Sequence, residues 1–127
     1  MPYASSGGID IWYEKNGKGP AIVFLHGRAG NGASWWRQKT AFSKTHTVIT
    51  FDQRGFGRSP CNRDAFCADM LANDVAAVMN AADTARAALV SQSMGGISAM
   101  RFAREYPERT SGLVVSSSMA GIVPMDI

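Results

Sequence analysis

The sequence predicts an α/β fold: a mainly parallel sheet with helices on both faces. Two observations carry this expectation. Residues 21–25, 48–51 and 87–90 are short, continuously apolar runs of the kind found in strands buried on both faces. A helical period lies between the second and third of them: Leu71, Val75, Val78 and Ala82 recur at i, i+4, i+7 and i+11 within residues 66–82. Such alternation of strands and helices gives parallel strands joined by right-handed crossovers. The 127 residues, 46% apolar and 18% charged, are enough for one globular core and too few for two comfortable domains.

Taken in order, Ile9-Asp10-Ile11-Trp12-Tyr13 alternates and reads as a strand. Gly7-Gly8 before it predicts a hairpin turn that pairs it with a short strand near residues 2–4. Residues 16–20, rich in Gly and ending in Pro, are a turn. The apolar run 21–25 ends in a glycine-rich loop, His26-Gly27-Arg28-Ala29-Gly30-Asn31-Gly32. Ser34 is placed to cap a helix over residues 35–42, in which Trp35 and Trp36 are packing residues. Strand 48–51 feeds a second loop, residues 52–60. After the long helix and strand 87–90, a helix over residues 97–106 stops before Pro107, which disfavours helical angles at its predecessor. Residues 112–116 read as a last strand, and residues 117–127 show no period.

In a sheet of this kind, sites form outside the carboxyl ends of the strands. Three unusual loops fall there, at His26, at Asp52 and at Ser93. The third is the most informative. Small apolar residues run through Ser91-Gln92-Ser93-Met94-Gly95-Gly96 straight into a helix. A serine at such a turn sits on strained backbone with its hydroxyl pushed out over the sheet edge. The residues two before and two after it must be small because strand and helix pass close together, and Ser91 and Gly95 fill those positions.

Composition narrows the partners. The net charge is +3, and Lys and Arg are scattered without a stripe, so neither nucleic acid nor a membrane surface is an expected partner. No signal peptide or spanning segment is visible, which makes a cytoplasmic protein the expectation. Cys61 and Cys67 stand without further cysteines or a nearby histidine. They read as free thiols rather than metal ligands, with a local disulfide left open. No metal or cofactor is expected. Gly55-Phe56-Gly57 lacks a third glycine and opens no helix, which argues against a dinucleotide fingerprint.

Taken together, these strings resemble the N-terminal half of an α/β-hydrolase, in the family's order: Ile22-Val23-Phe24-Leu25-His26-Gly27, Asp52-Gln53-Arg54-Gly55-Phe56-Gly57-Arg58-Ser59, a helix with Asp74, and Ser93-Met94-Gly95-Gly96. The resemblance covers nearly the whole chain, residues 1–127, as the first part of one such domain with the elbow included. It implies Ser93 as catalytic nucleophile, with the backbone N–H groups of Met94 and Arg28 as oxyanion donors. It also implies that His26, Gly27 and Gly95 shape the loops, as does the string from Asp52 to Ser59. Members that dehalogenate or open epoxides are expected to carry aspartate at the turn. Serine points instead to esterase, lipase-like, C–C hydrolase, peptidase or haloperoxidase-like activity on a small-molecule substrate.

The family's order, serine then acid then histidine, is not completed here. The two histidines, His26 and His46, both precede Ser93, and Asp126 is the one acid beyond Glu108. None of the three is expected to serve the serine. Two readings follow: the first part of a serine hydrolase, inactive alone, or a non-catalytic half-domain that binds a partner or small ligand. The cap, acid and histidine segments are expected to lie outside these residues, and the open sheet edge to favour aggregation or a partner.

Overall fold

Gly7 and Gly8 both take positive φ, 55° and 83°, and so fold the first strand, β1 (Tyr3–Ser6), back onto β2 (Ile9–Asn16). The computed structural model describes residues 2–117. After the hairpin come β3 (Ala21–Leu25), α1 (Trp36–Phe42), β4 (Thr47–Phe51) and α2 (Leu71–Ala81). Then follow β5 (Ala87–Gln92), α3 (Gly95–Glu105) and β6 (Thr110–Ser116). The six strands form one sheet in the order β1-β2-β4-β3-β5-β6. The pairs β3–β4, β3–β5 and β5–β6 are parallel, and only the hairpin end, β1–β2 and β2–β4, is antiparallel. The mainly parallel sheet expected from the sequence is therefore the sheet observed.

Its two faces are covered differently. Val23, Leu25, Ile49, Phe51 and Leu89 point to one side, against Val75, Val78 and Met79 of α2 and Ala99 and Phe102 of α3. All are essentially removed from water, each contributing on the order of 1.5–3 kcal/mol when large and fully buried. Ile22, Phe24 and Val48 point the other way, where the Trp35 ring lies tilted against Phe24 at 5.0 Å and Phe42 of α1 approaches at 6.2 Å. This alternation along β3 is the pleat's period of two.

Several boundaries differ from the sequence expectation. Asn31, not Ser34, caps the first helix: its side chain accepts the Ala33 N–H at 2.8 Å. Ser34 sits three residues on and reaches back to the Asn31 N–H, and the chain makes a 3₁₀ turn, Gly32–Trp35, before α1 begins. Trp36 is 62% exposed, with Arg37 over its ring at 5.1 Å, so it is not a packing residue. The long helix starts at Leu71 rather than at residue 66, because Phe66 and Cys67 are extended and break the run into 3₁₀ turns, Arg63–Ala65 and Ala68–Met70. The last helix starts earlier than expected, at Gly95, and β6 starts at Thr110. The two cysteines are free thiols, which closes the disulfide alternative.

Candidate active site

Because β3, β4 and β5 are parallel, the loops after them emerge at one edge of the sheet. β5 passes into α3 through Ser93 and Met94. Ser93 has φ 51°, the left-handed region that a residue with a Cβ seldom occupies. Its N–H donates to the Ser116 carbonyl on β6 at 2.9 Å, and its own carbonyl accepts the Gly96 N–H at 2.9 Å. Met94 already has helical angles, φ −56° and ψ −29°. Ser93 thus stands alone at the strand-to-helix junction, as the small residues around it predict.

Those small residues are required by close approach. A Cβ on Gly95 would lie 2.3 Å from the Leu25 carbonyl oxygen and 2.8 Å from that of His26. A Cβ on Gly27 would lie 2.5 Å from Gln92 Oε1 and 3.2 Å from Ser93 Cβ. Glycine at both positions brings the loop after β3 against the turn after β5. Ser91 is buried between the strands, and its hydroxyl donates to the Val114 carbonyl at 3.0 Å.

His26 is fully buried. Its Nδ1 lies 2.7 Å from the Gly27 carbonyl, and its Nε2 accepts the Gln53 N–H at 2.8 Å, which places the proton on Nδ1. Gln53 answers with its amide: Nε2 donates to the His26 carbonyl at 2.7 Å, and Oε1 accepts the Ser98 hydroxyl at 2.5 Å. Burial pushes the imidazole pKa below its ordinary value, against the smaller opposing effects of the Gly27 carbonyl and the Asp52 charge. The ring is neutral, and both of its nitrogens are taken by backbone groups. It joins two loops.

The string from Asp52 to Ser59 also spends its polar groups on structure. Asp52 accepts the backbone N–H of Gly32 at 2.7 Å and of Arg58 at 2.8 Å. Arg58 lies over the Trp12 ring at 4.2 Å. Arg54 is buried and pairs in a fork with Asp74 of α2, at 2.7 and 2.8 Å, while donating to the Ala65 carbonyl at 2.6 Å. The bond to Asp74 raises the guanidinium pKa and holds the charge on. Ser6 completes the group, its hydroxyl donating to Asp74 at 2.6 Å. Sequence reasoning placed Asp74 on its helix without giving it this partner. The signal was an acid beside Leu71, Val75 and Val78 on the apolar face, a buried charge that needs a cation.

Next to the turn lies a cavity of about 520 Å³. Arg28 and Met94 line it together with Phe56, Phe66, Ala68, Leu71, Ile97 and Arg101; Ser93, although next to Met94 in the chain, is not among its lining residues. The structure therefore brings Arg28 and Met94 to one space. It does not bring His46 there. His46 precedes β4, at the amino end of the parallel strands, with its Nδ1 2.7 Å from the Thr45 hydroxyl. Asp126 lies outside the described residues.

This geometry has close counterparts. A solved structure of Est816, described as an N-acyl homoserine lactone degrading enzyme, superposes with a TM-score of 0.89 at 38% identity. It matches over 92% of this chain and 45% of that one. A thermophilic esterase from Thermogutta terrifontis superposes at 0.84 with 28% identity, over 91% of this chain and 44% of that one. Among curated relatives, a protein of Azorhizobium caulinodans provisionally named carbamate hydrolase RutD is 34% identical over 120 residues. The match takes in 94% of this chain and 45% of that protein, so the chain spans under half the length of such relatives. A family model described as alpha/beta hydrolase fold matches residues 20–126. With that match added to the sheet order and the turn at Ser93, the chain belongs to the alpha/beta hydrolase fold family.

Proposed function

We propose that this chain is the nucleophile-bearing part of a serine hydrolase that acts on esters or related carbonyl compounds through an acyl-enzyme on Ser93. The observation that carries the reading is the φ of 51° at Ser93, at the head of α3 and beside a cavity shared by Arg28 and Met94. Strain at a single residue between a strand and a helix is what presents a hydroxyl rather than packing it away. The names of the relatives support a carbonyl substrate: one is called a carbamate hydrolase, one an esterase, and one a lactone-degrading enzyme.

In the proposed reaction Ser93 Oγ attacks the carbonyl carbon, and the carbonyl oxygen becomes an oxyanion. The backbone N–H groups of Met94 and Arg28 receive it, helped by the amino end of α3. Losing one such donor costs roughly 2.7–4 kcal/mol in comparable enzymes. The serine proton needs a base, and the chain's two histidines do not supply one. The His26 ring is committed to Gly27 and Gln53, and His46 is at the far end of the sheet. The acid and the histidine then belong to a segment of a longer hydrolase domain outside residues 1–127. The two free thiols fit a cytoplasmic setting.

The test is p-nitrophenyl acetate hydrolysis by the purified chain with and without added imidazole, a diffusible substitute for the missing base. The chain alone is expected to stay near background. Imidazole should then raise turnover above that of the Ser93→Ala variant in the same buffer. Equal imidazole dependence in both proteins refutes the nucleophile. Strong turnover without imidazole refutes the missing base.

A further inference from the structure

We infer, resting on the reading of Ser93 as the nucleophile, that the cavity beside it selects substrates whose apolar body carries a carboxylate, received by Arg28 and Arg101. Phe56, Phe66, Leu71 and Ile97 make most of its wall apolar, and among the described residues the only charged ones lining it are these two arginines. No acid lines it. At about 520 Å³ it is of a size that encloses a small molecule, within roughly 300–1,000 Å³ for such sites.

The two cations are available to a ligand. Arg28 is exposed and makes no ion pair or side-chain hydrogen bond among the described residues. Arg101 makes one bond, from Nη1 to Asp69 Oδ1 at 3.0 Å, and the Asp69 side chain is 83% exposed. A surface pair of that kind contributes little and leaves the rest of the guanidinium fork free. Ile97 and Arg101 are four residues apart on α3, so one helix face presents an apolar contact and then a charge. Two like charges on a mostly apolar wall repel each other, and a ligand carboxylate relieves that repulsion while its hydrocarbon covers the rings. A neutral isostere covers the same rings and leaves Arg28 without a partner and Arg101 with only its exposed pair to Asp69.

The probes are 4-phenylbutyrate and its neutral counterpart 4-phenylbutanamide, titrated into the purified chain at low salt and followed by calorimetry. The carboxylate is expected to bind about 10-fold more tightly than the amide, and the gap to narrow as salt is added. Arg28→Gln and Arg101→Gln should each shrink the gap and leave the amide's affinity unchanged. Arg104→Gln, on the same helix but outside the cavity, should preserve it. Equal binding of the two probes, no saturable binding of either, or a gap that survives both substitutions overturns the inference. The titration is repeated on Ser93→Ala, where the preference should persist. Selectivity without imidazole-dependent turnover would thus remove the nucleophile and keep the anion site, and the opposite result would do the reverse.

Discussion

Nε2 of His26 accepts the backbone N–H of Gln53 at 2.8 Å, so the side chain of one loop is tied into the backbone of the next. A proton on that nitrogen would face a donor and break the tie. Because burial depresses the folded-state pKa, the unfolded chain takes up this proton first as the solution is acidified, from about pH 6.5 downward. The stability that His26 contributes is present above that pH and is lost as pH falls toward the folded-state value. Urea midpoints should therefore begin to decline below about pH 6.5, before carboxylates titrate. In His26→Asn that early decline should be missing.

Gly95→Ala should destabilise the fold by about 1–3 kcal/mol or more, because its Cβ would meet backbone oxygens that cannot move aside. The measurement is the urea midpoint at neutral pH.

Gly27→Ala should behave differently. The nearest atom to its Cβ is Oε1 of Gln92, the end of an exposed side chain, and the next is Ser93 Cβ. The variant should lose less stability than Gly95→Ala. Yet if Ser93 acts as proposed, any imidazole-supported turnover should fall by up to about 10²-fold, toward that of Ser93→Ala, since a small displacement of the reacting group is enough for that loss. A smaller stability loss joined to a large activity loss would mark the contact as one that aims the serine.

Asp74→Ala should cost about 3–5 kcal/mol, because it leaves the Arg54 guanidinium buried without its carboxylate. Replacing both partners, Arg54→Met with Asp74→Leu, should recover most of that loss. The comparison of the two urea midpoints decides whether the pair or its uncompensated half carries the effect.

The three apolar strands and the turn at Ser93 could be read from the chain because each is a local pattern, a buried run or a cluster of small residues. The parallel direction of the strands followed from the helices between them. The ends of α1 and α2 could not be read the same way. Asn31 and Ser34 are both good capping residues three apart, and only the closing of a 3₁₀ turn shows which one is the cap and which the returning partner. Phe66 fits a helical period, but its backbone is extended and its ring meets Phe56 edge-on at 6.2 Å in the wall of the cavity, a contact the helical period does not encode. The reach of Arg54 to Asp74, 20 residues on, is long-range and leaves no periodic trace.

The hydrogen bond from the Ser93 N–H to Ser116 and the contact of Gly95 with Leu25 have a consequence for inheritance. The angle at which the hydroxyl leaves the sheet is set by β6 on one side and by β3 on the other. A segment running from β5 through α3, moved into a different sheet, would carry the letters of the turn and lose its aim. What recombination could transfer intact is the continuous stretch from β3 through β6, because the three strands that meet around the serine lie at its start and its end.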